Sequence, residues 1–496
     1  MNNKVAINRL STGVPGLDEV LGGGLPEFSF NLIAGPPGCG KTTLAHQMMF
    51  SLATPERPAL YFTVLGEPPL KMLRHQQQFA FFDSEVVNSA VHFIDLSEDT
   101  LAGNLDQVLR RIVAEVQARG PSLVFVDSFG SVVLAGSGQD NARNALQQLM
   151  QQLGTLMTSW QATTFLIGEY FSDDANPVFT MADGLIWLRQ SVQRNSMVRK
   201  MEIMKMRGQP TLPGLHTFRI DGAGVEVFAP VDMKPAARTR AAAERPVKRA
   251  LMGVAGLDDM LGGGLPRGYS LLVAGPSGSG KSILAAAFLV EGARNGETGV
   301  IAAFEQRPSP SRSPALAELI GSGRVGLVDS RAPDLSIDEV VRLIIGHIKR
   351  LNATRVVIDS LSGFELALAP TFRDDFRESL SRMVTVLADE GVTVLMTSEL
   401  EDRYTDLRFS PYGTAFLTDA IIVQRYIEVD SRLLRVMAAV KVRASAHSNQ
   451  LRLFTIDDTG IHLGDMLAGQ EGMLGGSPSR KDVAEAPVPT VGAHDG

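Results

Sequence analysis

With 496 residues the chain exceeds one compact core and is expected to form two to four domains. Its 44% hydrophobic and 20% charged residues exclude a wholly disordered chain, and a formal net charge of −7 excludes a global basic field for nucleic acid. No apolar run approaches a membrane helix, the N-terminus leads into no apolar signal core, and Cys39 stands alone without a disulfide or zinc partner, so a cytoplasmic protein is expected.

In chain order, Gly16-Leu17-Asp18 and Gly22-Gly23-Gly24-Leu25-Pro26 precede the first strand signal, the apolar run 30–34. That run ends on Gly35-Pro36-Pro37-Gly38-Cys39-Gly40-Lys41-Thr42, a P-loop pattern, with Thr43 next and a helix predicted over 42–51. Glycines at 35, 38 and 40 let the backbone wrap so that N–H groups face phosphate oxygens, and the helix adds its positive end. Lys41 then supplies a point charge at the β/γ bridge, and Thr42 a hydroxyl for Mg²⁺. Cys39 lies inside the cradle, where a helix end lowers a thiol pKa; an inert residue at a variable position is the expected reading. Buried strands are predicted over 60–65, 123–126 and 164–167, alternating with longer amphipathic runs. This predicts a parallel sheet covered on both faces, with ligands at the C-terminal strand ends. Asp127 ends one such strand and suits the second-sphere Mg²⁺ position. Glu67 follows another, 26 residues after Lys41, and is the expected general base if its strand neighbours the P-loop strand.

The same series then returns. Gly256-Leu257-Asp258, Gly262 to Pro266 and Lys281 repeat the first set at an offset of 240. The second P-loop is Gly275-Pro276-Ser277-Gly278-Ser279-Gly280-Lys281-Ser282, followed by Ile283, and Lys281 and Ser282 take the roles of Lys41 and Thr42. The run 300–304 ends at Glu305, 24 residues after Lys281, expected as general base and metal-side carboxylate. Val356-Val357-Ile358-Asp359-Ser360 matches Val124 to Ser128 at 232, and Lys441-Val442-Arg443 matches Lys205-Met206-Arg207 at 236. Small drifts in a fixed order are what loop insertions produce in a tandem duplication. The predicted division is 1–228, a basic Pro-containing linker 229–249, a second domain 250–468 and a disordered tail 469–496. The eight histidines lack ligand spacing.

Two copies of G-L-D-x-x-L-G-G-G-L-P, a P-loop, a strand-terminal Glu, aliphatic-Asp-Ser and K-x-R, in that order from about residue 10 to about 465, resemble the KaiC family of double-domain RecA-like ATPases. The stretch Gly476 to Arg480 resembles the segment after the second domain of that family. The resemblance implies an α/β fold: two tandem RecA-like P-loop domains, each a mostly parallel sheet with helices on both faces. It implies a double-ring homohexamer with ATP and Mg²⁺ at subunit interfaces and a signalling partner protein. Lys205, Met206 and Arg207, and Lys441, Val442 and Arg443, would then reach ATP held by the neighbouring subunit as arginine-finger-type charges. His447 matches the second-domain pattern four residues after Arg443, where the first domain has Thr211.

Departures accompany the match. The family's adjacent glutamates appear as Gly66-Glu67 and Glu305-Gln306, so the second domain's hydrolytic equipment is the more complete. The family's autophosphorylated pair precedes T-D-x-I-I, here Thr418-Asp419-Ala420-Ile421-Ile422, and falls on Ala415 and Phe416, which carry no hydroxyl. The leading reading is a Mg²⁺-dependent ATP-hydrolysing hexamer in signalling or regulation. The alternatives are a Ser/Thr autokinase using nearby Thr414 or Ser410, a RecA-like DNA-binding motor, and a scaffold in which ATP only glues subunits. The acidic balance and the lack of a Cys₄ zinc module argue against DNA, and no membrane partner is expected.

Overall fold

The computed structural model describes residues 7–63, 69–101, 105–127, 151–157, 159–170, 177–193, 196–230, 248–304, 307–308, 310–311, 313–329, 335–373, 376–400, 417–429, 431–466, 470–471 and 479–480. Glu67, Glu305, Gln306, Ser410, Thr414, Ala415 and Phe416 lie outside them. The chain divides into two compact units, with the break after Pro230.

In the first unit, β1 (Arg9–Leu10) and β2 (Leu25–Pro26) pair as a short antiparallel ribbon. The repeated glycine motif holds this ribbon in place. Asp18 accepts the Thr12 N–H at 2.8 Å and the Thr12 hydroxyl at 2.6 Å, and Arg9 donates to the Gly22 carbonyl. The main strands follow as β3 (Phe30–Gly35), β4 (Ala59–Thr63), β5 (Val91–Asp95), β6 (Leu123–Asp127), β7 (Thr163–Glu169), β8 (Gly184–Gln193), β9 (Ser196–Met206), β10 (Leu215–Asp221) and β11 (Gly224–Phe228). Their spatial order is β5-β4-β6-β7-β3-β8-β9-β10-β11. The first six are mutually parallel, and β9 to β11 add an antiparallel meander.

Both faces of β3 are buried, so its side chains divide between two cores. Phe30, Leu32 and Ala34 pack with Val108, Ile112 and Val116 of the helix Leu105–Arg119. Ile33 packs on the other face with Leu44 and Met48 of the helix Lys41–Leu52. A continuous apolar strand needs cover on both sides, and that is why its sequence shows no alternation.

The second unit repeats this plan. A ribbon of β12 (Arg249–Ala250) and β13 (Leu265–Pro266) precedes β14 (Ser270–Gly275), β15 (Gly299–Ala303), β16 (Val325–Asp329), β17 (Arg355–Asp359), β18 (Thr393–Glu399), β19 (Ala420–Val429), β20 (Arg432–Val442), β21 (Arg452–Asp457) and β22 (Gly460–Met466). The order β16-β15-β17-β18-β14-β19-β20-β21-β22 matches the first sheet strand for strand. Each unit is therefore a RecA-like α/β domain. Arg249, inside the predicted linker, is already part of β12. Inside the predicted tail, β23 (Gln470–Glu471) pairs with β24 (Ser479–Arg480).

Candidate nucleotide and metal site

Each P-loop leaves the central strand of its sheet and enters a helix whose N-cap is a glycine in the left-handed region, Gly40 at φ 104° and Gly280 at φ 99°. A Cβ at either would press into a branched side chain behind the loop, Ile220 or Ile456. Backbone conformation and close approach thus both demand glycine here. Around the first loop lies a cleft of about 420 Å³ lined by Gly38, Gly40, Lys41, Thr42, Thr43, Asp127, Glu169, Arg199 and Ile220. Its size falls within the range of small-ligand pockets.

Lys41 Nζ donates to the Pro36 carbonyl at 2.9 Å, and Lys281 Nζ donates to the carbonyls of Gly275 and Pro276 at 2.9 and 2.8 Å. Asp127 and Asp359 are the last residues of β6 and β17. Thr42 Oγ1 donates to Asp127 Oδ2 at 2.8 Å, joining the hydroxyl and carboxylate expected to share a metal. Burial raises the Asp127 pKa, opposed by hydrogen bonds from Tyr61 and Thr42 and by the Lys41 charge; Glu169 adds to the rise. Among the described residues no three His, Cys, Asp or Glu side chains cluster as a metal cage. A hydroxyl and a carboxylate beside a phosphate cradle still fit Mg²⁺, which keeps waters and takes few protein oxygens.

The condition placed on Glu67, that its strand neighbours the P-loop strand, is not met. The P-loop strand β3 is flanked by β7 and β8, not by β4, the strand that precedes Glu67. Crossover connections place strands out of chain order, and spacing from Lys41 does not encode that order. The carboxylates at the end of the neighbouring strands are Glu169 and Glu399, which stand in register with Gly35 and Gly275. Sequence reading missed both, although each ends an apolar run.

The K-x-R residues lie toward the opposite end of the strands from the P-loops of their own domain. Because β9 runs antiparallel, Lys205 pairs with Leu185 and Met206 with Gly184, whereas the P-loop end of β3 is level with Trp187. Lys205 Nζ donates to the Thr180 carbonyl at 2.9 Å, and Arg207 pairs with Asp183 at 3.0 Å. In the second domain Lys441 donates to the Thr418 carbonyl at 2.6 Å and Arg443 pairs with Asp419 at 3.4 Å. Burial and the neighbouring arginine lower the pKa of both lysines. Val442 is buried, Met206 packs on the core, and His447 Nδ1 lies 3.4 Å from the Ser445 carbonyl in the turn after β20.

Besides Lys41, the cation lining the first cleft from its own domain is Arg199. Its counterpart Arg435 lies over the Tyr426 ring, 5.5 Å from its centroid, and the Tyr426 hydroxyl donates to Ser277 of the P-loop at 3.5 Å. These arginines recur at the offset of 236 that relates the K-x-R motifs, a signal present in the sequence. Cys39 is buried, and burial raises its thiol pKa, against the lowering expected of a helix end. No helix among the described residues is long and apolar enough to cross a membrane.

Comparison with known proteins agrees with this geometry. The family model described as "ATPase: KaiC" matches twice, over residues 10–232 and 251–467. The circadian clock oscillator protein KaiC of a Picosynechococcus species is 27% identical over 97% of this chain and 94% of its own length. That of Rippkaea orientalis is 27% identical over 98% and 94%, and the circadian clock oscillator protein KaiC 1 of a Synechocystis species is 26% identical over 97% and 93%. With two P-loop domains matched end to end, the chain belongs to the KaiC family of ATPases.

Proposed function

We propose that this protein is a cytoplasmic, Mg²⁺-dependent ATP hydrolase that works as a double-ring homohexamer and reports its nucleotide state to a partner protein. The observation that carries the reading is the placement of the K-x-R charges at the sheet edge away from their own P-loops. From Asn31 to Gly35 the sheet spans about 13 Å at ~3.3 Å per residue; Arg207 lies past the Asn31 end of that span and Lys205 is level with Leu32, toward the same end. Such charges serve a nucleotide only if it is held by another copy, which favours ATP at subunit interfaces.

On this reading the loop N–H groups with Lys41 and Lys281 bind the β- and γ-phosphates. Thr42 with Asp127, and Ser282 with Asp359, would hold Mg²⁺, which would supply positive charge to offset that of the phosphates. Lys205, Arg207, Lys441 and Arg443 stabilise charge on the transferring phosphoryl group from the adjacent subunit. Glu67 and Glu305 are the proposed bases that orient the attacking water. Glu169 and Glu399 are rivals for that role by their position next to the P-loop strand.

Mixing tests the reading. Copies carrying Lys41→Ala and Lys281→Ala, and copies carrying Arg207→Ala and Arg443→Ala, are each expected to be inactive. Co-assembled, they should regain ATP hydrolysis, because intact cradles then meet intact arginines. An arginine variant that hydrolyses ATP normally alone would refute the interface role. Native mass spectrometry of the same samples reads the hexamer directly.

A further inference from the structure

The metal-side aspartate is held differently in the two domains, and the difference is a matched exchange of two residues. In the first domain Tyr61, fully buried on β4, donates its hydroxyl to Asp127 Oδ2 at 2.7 Å, the oxygen that also accepts from Thr42. In the second domain the Tyr61 position on β15 is Ile301, which has no hydroxyl. There Thr397, on β18, donates to Asp359 Oδ1 at 2.5 Å. The position of Thr397 in the first domain is Ile167, directly across from Asp127 in the β6–β7 register. Each aspartate thus receives one buried hydroxyl, from opposite flanking strands. Only in the first domain does this coincide with a hydrogen bond between the P-loop hydroxyl and the aspartate, because Ser282 makes none to Asp359.

The Tyr61 ring is locked against His46 at 4.5 Å, Phe93 at 5.5 Å and Phe125 at 6.0 Å between centroids. A buried phenol must place its hydroxyl on a polar partner, and a fixed ring leaves the hydroxyl little choice of partner. The carboxylate is thereby aimed at Thr42. We propose that Tyr61 is a positioning residue of the first ATP site, pinning Asp127 against Thr42 so that the hydroxyl–carboxylate pair is preformed for Mg²⁺, whereas in the second domain Thr397 holds Asp359 without such a pair. This rests on the metal role of Asp127 proposed above.

The test uses the full chain carrying Lys281→Ala, so that the first site alone reports, and measures affinity for a fluorescent ATP analogue in EDTA and in Mg²⁺. Tyr61→Phe keeps the ring and removes the hydroxyl. It should leave affinity in EDTA unchanged and cut the gain given by Mg²⁺ about tenfold, the worth of one hydrogen bond to a charged group. Adding Ile167→Thr should restore the gain by supplying the other domain's donor. Equal losses with and without Mg²⁺, or no rescue, would mean that Tyr61 is only structural. Asp127→Asn separates the two levels. If it abolishes the Mg²⁺ gain while Tyr61→Phe does not, this proposal fails and the metal role stands; if it has no effect, the metal role fails and this proposal with it.

Discussion

Beneath the two P-loop helices the same row of positions is filled with opposite chemistry. In the first domain the third residues of β5, β4, β6 and β7 are Phe93, Tyr61, Phe125 and Phe165, paired in one line across the sheet. Phe125 and Phe165 stack at 4.6 Å, and His46 of the helix lies on Tyr61. The second domain has Leu327, Ile301, Val357 and Leu395 in that row, with Ala286 above it. In the aromatic row Tyr61 alone carries a hydroxyl, which needs a partner when buried; the aliphatic row carries none. The first domain therefore links its core to Asp127 through Tyr61 of this row, whereas the second reaches Asp359 from Thr397, outside the row. The second places its buried polar investment elsewhere. Arg355, 2% exposed, ties Glu297 at 2.5 Å to the Leu251 and Phe288 carbonyls at 2.7 Å each, where the first domain has Leu123.

That contrast can be broken at several points. Arg355→Ala leaves Glu297 with Arg267 as its remaining arginine and removes the buried donor to the Leu251 and Phe288 carbonyls, and should cost the second domain about 3 kcal/mol. Hydrogen-exchange mass spectrometry should then show faster exchange in 250–466 and none in the first domain; equal loosening of both would contradict the separation. Next is Glu67→Gln in a Lys281→Ala background, expected to slow hydrolysis by about 100-fold with ATP binding retained, as for loss of a general base. Glu305→Gln in a Lys41→Ala background is its counterpart. Undiminished turnover, with the loss appearing in Glu169→Gln or Glu399→Gln instead, would move the base to the strand beside the P-loop strand.

A smaller effect separates the domains by pH. Burial drives the His46 pKa from 6.5 to about 3, with Gln76 acting weakly the other way. Between those values the unfolded chain binds the proton and the folded one does not. Stability is thus complete above about pH 6.5 and falls as the solution is acidified toward 3. The slope is roughly 1.4 kcal/mol per pH unit for one such group. His46→Met should flatten the acid slope of the first domain in urea titrations and leave that of the second, with Ala286, unchanged. Identical slopes in wild type and variant would exclude His46 as the source.

The smallest expected effect concerns the loops themselves. Ser279 donates to Gln424 at 3.0 Å, whereas the position of Gln424 in the first domain is Leu188, whose side chain offers Cys39 no polar partner. Cys39→Ser should therefore cost the first domain about 1 kcal/mol by burying a hydroxyl away from a side-chain partner. A thiol reagent should label Cys39 only on unfolding; rapid labelling of the native protein would contradict its burial.

Much of the molecule was legible in the residues. The doubled motifs disclosed two domains, the loops Gly35 to Thr42 and Gly275 to Ser282 disclosed their cradles, and Asp127 and Asp359 ended strands as expected. These features are local: a P-loop is a run of neighbours whose spacing is its geometry, and a buried parallel strand announces itself by apolar content. Strand order is not local. Only the folded sheet sets Glu169 rather than the strand of Glu67 beside β3, turns the K-x-R residues to the far edge, and brings Tyr61 to Asp127 across 66 residues of chain. Those contacts arise from crossovers and antiparallel reversal, which pair residues by the path of the chain and not by their distance along it.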